Sequence, residues 1–211
     1  MLKFNAVIPA RYASTRLPGK PLLDIAGKPM VIRVAERAKL SGATQVIVAT
    51  DDQRIYDVVK KYGFDVVMTQ AQHQSGTDRI AEVVAKLAWN DDAIVVNVQG
   101  DEPLIDPRVI QQVAERLAKD QSAVMSTACF PIKRGEDFFN PNIVKVVLNA
   151  ESQALYFSRA PIPFPRDGIS AGVLNADYVL TAFRHIGLYA YRAGFLKRYT
   201  ALAPAPLEDI E

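Results

Sequence analysis

Hydrophobic and polar positions along the first 130 residues switch between two periods. Short apolar runs at 4–8, 45–49, 64–68 and 93–98 read as buried strands. The last of these, Ala-Ile-Val-Val-Asn-Val, is continuous enough to sit in the middle of a parallel sheet. Between the runs, apolar residues recur at helical spacing. A helix over 29–41 sets Val31, Val34, Ala35 and Ala38 on one face, with Pro29 in its first turn and Gly42 as its stop. Further helices read at 53–62, ended by Gly63; at 78–88, capped by Ser75 or Thr77; and at 107–119, opened by Pro107. A strand at 123–129 follows. This alternation predicts an α/β fold, a Rossmann-like and predominantly parallel sheet with helices on both faces.

Near residue 130 the texture changes. Segments 144–148 and 153–158 are strand-like and flank Asn149-Ala150-Glu151-Ser152, which predicts an antiparallel hairpin. Pro161, Pro163 and Pro165 exclude regular structure between them. Residues 185–191 alternate as a strand, and 193–202 read as a short helix. The expectation is one domain over 1–211, with an α/β core at 1–129 and a smaller antiparallel β-hairpin subdomain inserted at 130–192. Residues 207–211 look like the first turn of a helix, so the chain is expected to continue past Glu211.

Composition narrows the class. No apolar run approaches the ~20 residues of a membrane helix, which predicts no membrane partner. A lone Cys129 forms no intramolecular disulfide, and two histidines argue against a zinc cluster, so a cytoplasmic protein is expected. The net charge of +2 argues against a dedicated nucleic-acid binder. The distribution is more telling: residues 1–40 carry eight basic side chains against two acidic ones. A basic head on a near-neutral body predicts an anionic ligand close to the N-terminus.

Ligands of parallel sheets bind beyond the carboxyl ends of the strands, which here are residues 9–20, 50–52, 69–77 and 99–103. Each distinctive motif of the first half falls on one of them. The loop Ile8-Pro9-Ala10-Arg11-Tyr12-Ala13-Ser14-Thr15-Arg16-Leu17-Pro18-Gly19-Lys20 carries three cations, Arg11, Arg16 and Lys20. It reads either as a solvated basic loop or as a polyphosphate site, and three cations on one loop repel unless an anion is present. Gln99-Gly100-Asp101-Glu102-Pro103 puts a carboxylate at the end of the central run, with Gly100 permitting close approach, suited to hold Mg²⁺ against phosphate. Asp101 reads otherwise as a helix cap, a role Asp106 fills better. Asp51-Asp52 reads equally as a cap or as chemistry. His73-Gln74-Ser75-Gly76-Thr77-Asp78-Arg79 offers groups that read a base edge, or simply caps the next helix. Arg159 and His185 read on their own as structural side chains.

Seven segments in order, IPARYASTRLPGKPL at 8–22, VATDD at 48–52, HQSGTDR at 73–79, NVQGDEP at 97–103, FNPN at 139–142, LYFSRAPIP at 155–163 and RHIGLYAYR at 184–192, resemble the 3-deoxy-manno-octulosonate (Kdo) cytidylyltransferases among the sugar nucleotidyltransferases. The resemblance implies the reaction CTP + Kdo → CMP-Kdo + pyrophosphate with Mg²⁺, for lipopolysaccharide synthesis, in a cytoplasmic homodimer. It implies that Arg11, Lys20 and Asp101 are catalytic. Ala10, Arg11, Ser14, Arg16 and Lys20 would hold the nucleotide together with Gln74, Ser75, Gly76, Arg79 and Gln99. Asp101 would ligate the metal, and Gln99, Arg159, His185, Tyr189 and Glu211 the sugar acid. In that family the chain runs on past the Leu-Glu-x-Ile-Glu segment and carries a second metal-binding Asp. Rival readings are a transferase for another sugar acid or a Kdo variant, a metal-dependent glycosyltransferase, and an inactive CTP-binding module.

Overall fold

The computed structural model describes residues 2–13, 17–170, 173–175 and 178–203. Its contacts divide the chain into two compact units, one of residues up to Ser126 with Leu188–Leu202, the other of Thr127–Gly187.

The first unit is built on parallel strands. β1 (Asn5–Ala10) opens it, and a two-stranded ribbon, β2 (Asp24–Ile25) with β3 (Lys28–Pro29), follows. Then come α1 (Met30–Leu40), β4 (Gln45–Thr50), α2 (Gln53–Lys61), β5 (Asp65–Met68), α3 (Gly76–Lys86), β6 (Ile94–Asn97) and α4 (Pro107–Lys119). Strands β5, β4, β1 and β6 lie side by side in that order, all parallel. In register, Val7 sits opposite Ile47 and Asn97.

The later elements are β7 (Met125–Pro131), α5 (Gly135–Phe139), β8 (Lys145–Leu148), β9 (Ala154–Ser158), β10 (Ile169–Ser170), β11 (Val173–Leu174), β12 (Phe183–Arg192) and α6 (Ala193–Tyr199). The last residues of β12, Tyr189–Arg192, pair antiparallel with β6 and end the parallel run. Strand β7 pairs with β12 instead of extending that run.

Alternation along the strands explains the layering. Val7, Ile47, Ala49 and Val95 pack with Ile80, Val83 and Val84 of α3 and Leu196 of α6. Ala6, Ile8 and Val48 point the other way, and α1 packs on β1 and β4 while α4 packs on β6. All of these side chains are buried, and burial of that kind contributes about 25 cal/mol per Å² of apolar surface.

The second unit carries the predicted antiparallel hairpin, β8 with β9, joined through the turn at 149–153. Phe183 and Arg184 of β12 pair with Val146 and Lys145. A small core of Ile132, Phe138 and Ala182 lies under α5. Lys145, fully buried, is held by the carbonyls of Asn140, Ile143 and Arg159.

Several boundaries move. Pro29 precedes α1 as its cap residue and ends β3, so it is not in the helix's first turn. Helix α3 starts at Gly76, two residues before the expected start, because Ser75 and Asp78 form a capping box. The helix expected at 193–202 stops at Tyr199. The ribbon at 24–29 and the one-and-a-half-turn α5 were not expected, both being too short to carry a period. Glu211 and the turn expected at 207–211 lie outside the described residues.

Candidate active site

The carboxyl ends of β1, β4, β5 and β6 are where the sequence motifs meet. Ala10 is the buried last residue of β1, opposite Thr50 of β4. The loop after it is closed by the Gly19 amide, which donates to the Tyr12 carbonyl at 2.9 Å. Gly19 holds φ +72°, a conformation that a side chain disfavours, and Lys20 follows on a short 3₁₀ turn. The Arg54 guanidinium lies 3.3 Å from the centre of the Tyr12 ring, a cation–π contact that sequence reasoning missed. Ser14 and Arg16 lie outside the described residues.

Lys20 Nζ reaches across 81 positions to Asp101 Oδ2 at 2.7 Å. Both side chains stay substantially exposed, 38% and 52%. Arg11 is half-buried, and its Nη2 is buried with no hydrogen-bond partner, so it offers a strong donor that the protein leaves unused. Asp106 caps α4 by accepting from the Arg108 amide, which leaves Asp101 free of that duty.

Gly100 is required for packing as well. A Cβ there would sit 2.6 Å from the Pro9 carbonyl oxygen, so the absent side chain serves the packing of the 99–103 loop on β1. A Cβ on Gly76 would meet the same residue, at 3.3 Å from Pro9 Cγ. Pro9 is therefore the common seat of the 99–103 loop and the start of α3.

The 73–79 segment is more structural than its donors and acceptors suggested. Ser75 Oγ and the Ser75 amide both donate to Asp78 Oδ2, and Ser75 Oγ accepts from the Asp78 amide. Arg79 is fully buried: it pairs with Asp51 Oδ2 at 2.7 Å and donates to Thr69 Oγ1. It thereby ties α3 to the ends of β4 and β5. Asp52 caps α2. Gln74 Nε2 donates to the Gln72 carbonyl. Glu82 anchors the approach to this segment. Burial opposes its charge, but hydrogen bonds from Lys86, His73 and the Gln70 amide outweigh it and hold the carboxyl at about 2.

Of the residues expected to meet a sugar, Gln99 accepts from the Glu102 amide through its backbone carbonyl. Tyr189, on β12 opposite Asn97, stacks on Tyr191 with ring centres 5.9 Å apart, and burial raises its hydroxyl. In the second unit, Arg159 Nη1 donates to the Pro141 carbonyl, and His185 Nε2 lies 2.9 Å from Thr127 Oγ1. Burial lowers the His185 pKa, which favours its neutral form.

A cavity of about 390 Å³ lies elsewhere, at the amino end of β6, lined by Asp91, Arg192, Phe195 and Lys197 among others. It contains none of the residues above. No helix among the described residues is long and apolar enough to cross a membrane.

A family model described as Cytidylyltransferase matches residues 5–211. Among solved structures, a CMP:2-keto-3-deoxy-manno-octonic acid synthetase complexed with CTP is 43% identical, with a TM-score of 0.87 over 99% of this chain and 82% of its own. A cytidylyltransferase from Leptospira borgpetersenii serovar Hardjo-bovis (strain JB197), 18% identical, shares the fold, with a TM-score of 0.60 over 98% of this chain and 66% of its own. On sequence and on fold alike, this chain belongs to the cytidylyltransferase family of nucleotidyltransferases.

Proposed function

We propose that the chain transfers the cytidylyl group of CTP to Kdo, giving CMP-Kdo and pyrophosphate, a step that activates the sugar acid for lipopolysaccharide assembly. The observation that carries this reading is the Lys20–Asp101 pair, with an unused Arg11 donor on the same loop as Lys20, in a chain 43% identical over 99% of its length to a CMP:2-keto-3-deoxy-manno-octonic acid synthetase complexed with CTP.

The anomeric hydroxyl of Kdo attacks the α-phosphorus in line. A new oxygen–phosphorus bond forms, the bond to the bridging oxygen breaks, and pyrophosphate leaves with its electron pair. Little covalent work falls to the protein, so orientation and charge dominate. Arg11 Nη2 takes a phosphate oxygen as its missing acceptor, and Lys20 turns from Asp101 to the departing pyrophosphate. Ser14 and Arg16 add to the phosphate grip, and the backbone of Ala10, Gln74, Ser75 and Gly76 frames the nucleotide. Arg79 acts from beneath, by holding α3.

The donor set suits Mg²⁺. Among the described residues no group of three or more His, Cys, Asp or Glu side chains could hold a metal alone, whereas Asp101 is an exposed carboxylate beside Lys20. That is how Mg²⁺ is commonly held, by one or two carboxylates and the substrate's phosphates. Bound by Asp101, it would neutralise phosphate charge and ease loss of the hydroxyl proton.

Gln99, Arg159, His185, Tyr189 and Glu211 receive the sugar acid, with Arg159 for its carboxylate. The second unit exposes Leu155, Tyr156, Phe164 and Val179, which supports a homodimer through that unit. A lone cysteine and the nucleotide substrate fit a cytoplasmic enzyme.

Pyrophosphate release from CTP and Kdo with Mg²⁺ tests the reading, with UTP and other sugar acids as controls. Release with CTP and Kdo alone is expected. Release with a different sugar acid or with UTP would replace the substrate, and CTP binding without release would leave a binding module.

A further inference from the structure

Asn97 ends β6 at 4% exposure, and its Oδ1 is buried with no hydrogen-bond partner. An unmet buried acceptor is costly, and about nine in ten buried polar groups avoid it. The preceding residues of β6 are Ile94, Val95 and Val96, so an apolar side chain at this position would continue the strand without that penalty. An unmet acceptor oxygen at the carboxyl end of β6 is therefore a group awaiting a ligand.

Its surroundings specify the ligand. Asn97 shares a strand face with Val95, the face covered by α3 and α6. In register it lies between Val7 of β1 and Tyr189 of β12. Across the antiparallel pair, directly opposed residues such as Asn97 and Tyr189 have Cβ atoms about 4.5–5.5 Å apart. Beyond it along the chain come Gln99 and then Gly100, seated on Pro9, on which Gly76 also rests. An oxygen acceptor at this place rejects phosphate and carboxylate and takes a hydroxyl or an amine. Its neighbours Gln99 and Tyr189 are both assigned above to the sugar acid, so the donor is a hydroxyl of that sugar.

We propose that Asn97 is a specificity-determining residue whose Oδ1 accepts a hydrogen bond from a hydroxyl of the acceptor sugar acid. The inference rests on the reading under Proposed function. It adds a selection on the hydroxyl pattern of the sugar, separate from recognition of its carboxylate.

Asn97→Leu removes the acceptor at similar volume, and Asn97→Val serves if the larger side chain does not fold. KM for Kdo should rise about tenfold or more, as loss of a buried hydrogen bond to substrate requires. KM for CTP should stay within twofold, and the melting temperature should be no lower than that of the native chain. One monodeoxy analogue of Kdo should bind the native chain as weakly as Kdo binds the variant, and the variant should not distinguish the two. A KM for Kdo within twofold of native overturns the proposal. So does a loss that falls on CTP instead. A native chain that uses a different acid with CTP overturns the substrate named above, and the same comparison on that acid then decides the role of Asn97. A native chain that uses no sugar acid overturns both.

Discussion

Lys20 and Asp101 form an ion pair at 2.7 Å between loops that follow two adjacent strands. Each stands in for the charge that the other would hold during the reaction: Asp101 for the phosphate at Lys20, and Lys20 for the metal at Asp101. In the free protein they neutralise each other while staying open to solvent. Pairs exposed to this degree contribute only about 0–1 kcal/mol. Asp101→Asn should therefore lower kcat by orders of magnitude and leave the melting temperature almost unchanged. Steady-state pyrophosphate release beside a thermal melt checks both, and near-normal turnover would remove Asp101 from the chemistry.

Removal of metal should separate in the same way. The described residues contain no ligand cluster able to retain an ion by themselves. Chelation with EDTA should abolish turnover, restore it on addition of Mg²⁺, and leave the melting curve where it was. A drop in melting temperature on chelation would mean a structural ion instead.

Gly100→Ala places a methyl 2.6 Å from the Pro9 carbonyl oxygen. Backbone on both sides leaves nothing flexible to yield, so the 99–103 loop must lift. Overpacking of this kind costs about 1–3 kcal/mol, and for a chain of this length that is a fall of several degrees in melting temperature. Because Asp101 is the next residue, kcat should fall as well. A variant that melts as native would show that the close approach is not tight in solution.

Glu82 gives a pH dependence with a definite direction. Its carboxyl lies at about 2 against 4.5 when unhindered, because the hydrogen bonds of Lys86, His73 and Gln70 outweigh burial. A carboxylate with a depressed folded-state pKa stabilises the fold above its unfolded value, and this is lost as pH falls from about 4.5 towards 2. Glu82→Gln should melt lower than native at neutral pH, and the gap should close as the pH falls through that window. A gap independent of pH would mean that the loss comes from packing alone.

Strand periodicity and loop composition made much of this molecule legible in advance. Apolar runs located β4, β5 and β6 to within a residue or two, and the chain order of the strands located their carboxyl ends. Legibility failed where a residue's partner is remote. Nothing local says that Arg79 turns inward to Asp51 and Thr69 rather than outward to a base. Nothing local says that Gly100 is small because of Pro9. The antiparallel pairing of β12 with β6 joins segments some ninety positions apart, and short elements such as β2, β3 and α5 hold too few residues for a period. Asn97 could have been noticed as the polar residue in an apolar strand, but its lack of a partner needs coordinates.

Arg79 offers the sharpest test of what the 73–79 segment does. Its side chain is fully buried, and Asp51, 17% exposed, is the counter-charge. Removing one member of such a pair strands the other, and costs about 3–5 kcal/mol, whereas replacing both with apolar groups is often close to neutral. Arg79→Met should therefore destabilise strongly, and Arg79→Met with Asp51→Leu should recover much of the loss. CTP affinity distinguishes the two roles for the arginine. If Arg79 works by holding α3 against β4 and β5, the double variant regains CTP binding along with its melting temperature. Recovery of stability with CTP binding still lost would mean that the guanidinium itself reaches the nucleotide when CTP is bound. Urea denaturation and titration with CTP on the same two variants decide between these outcomes.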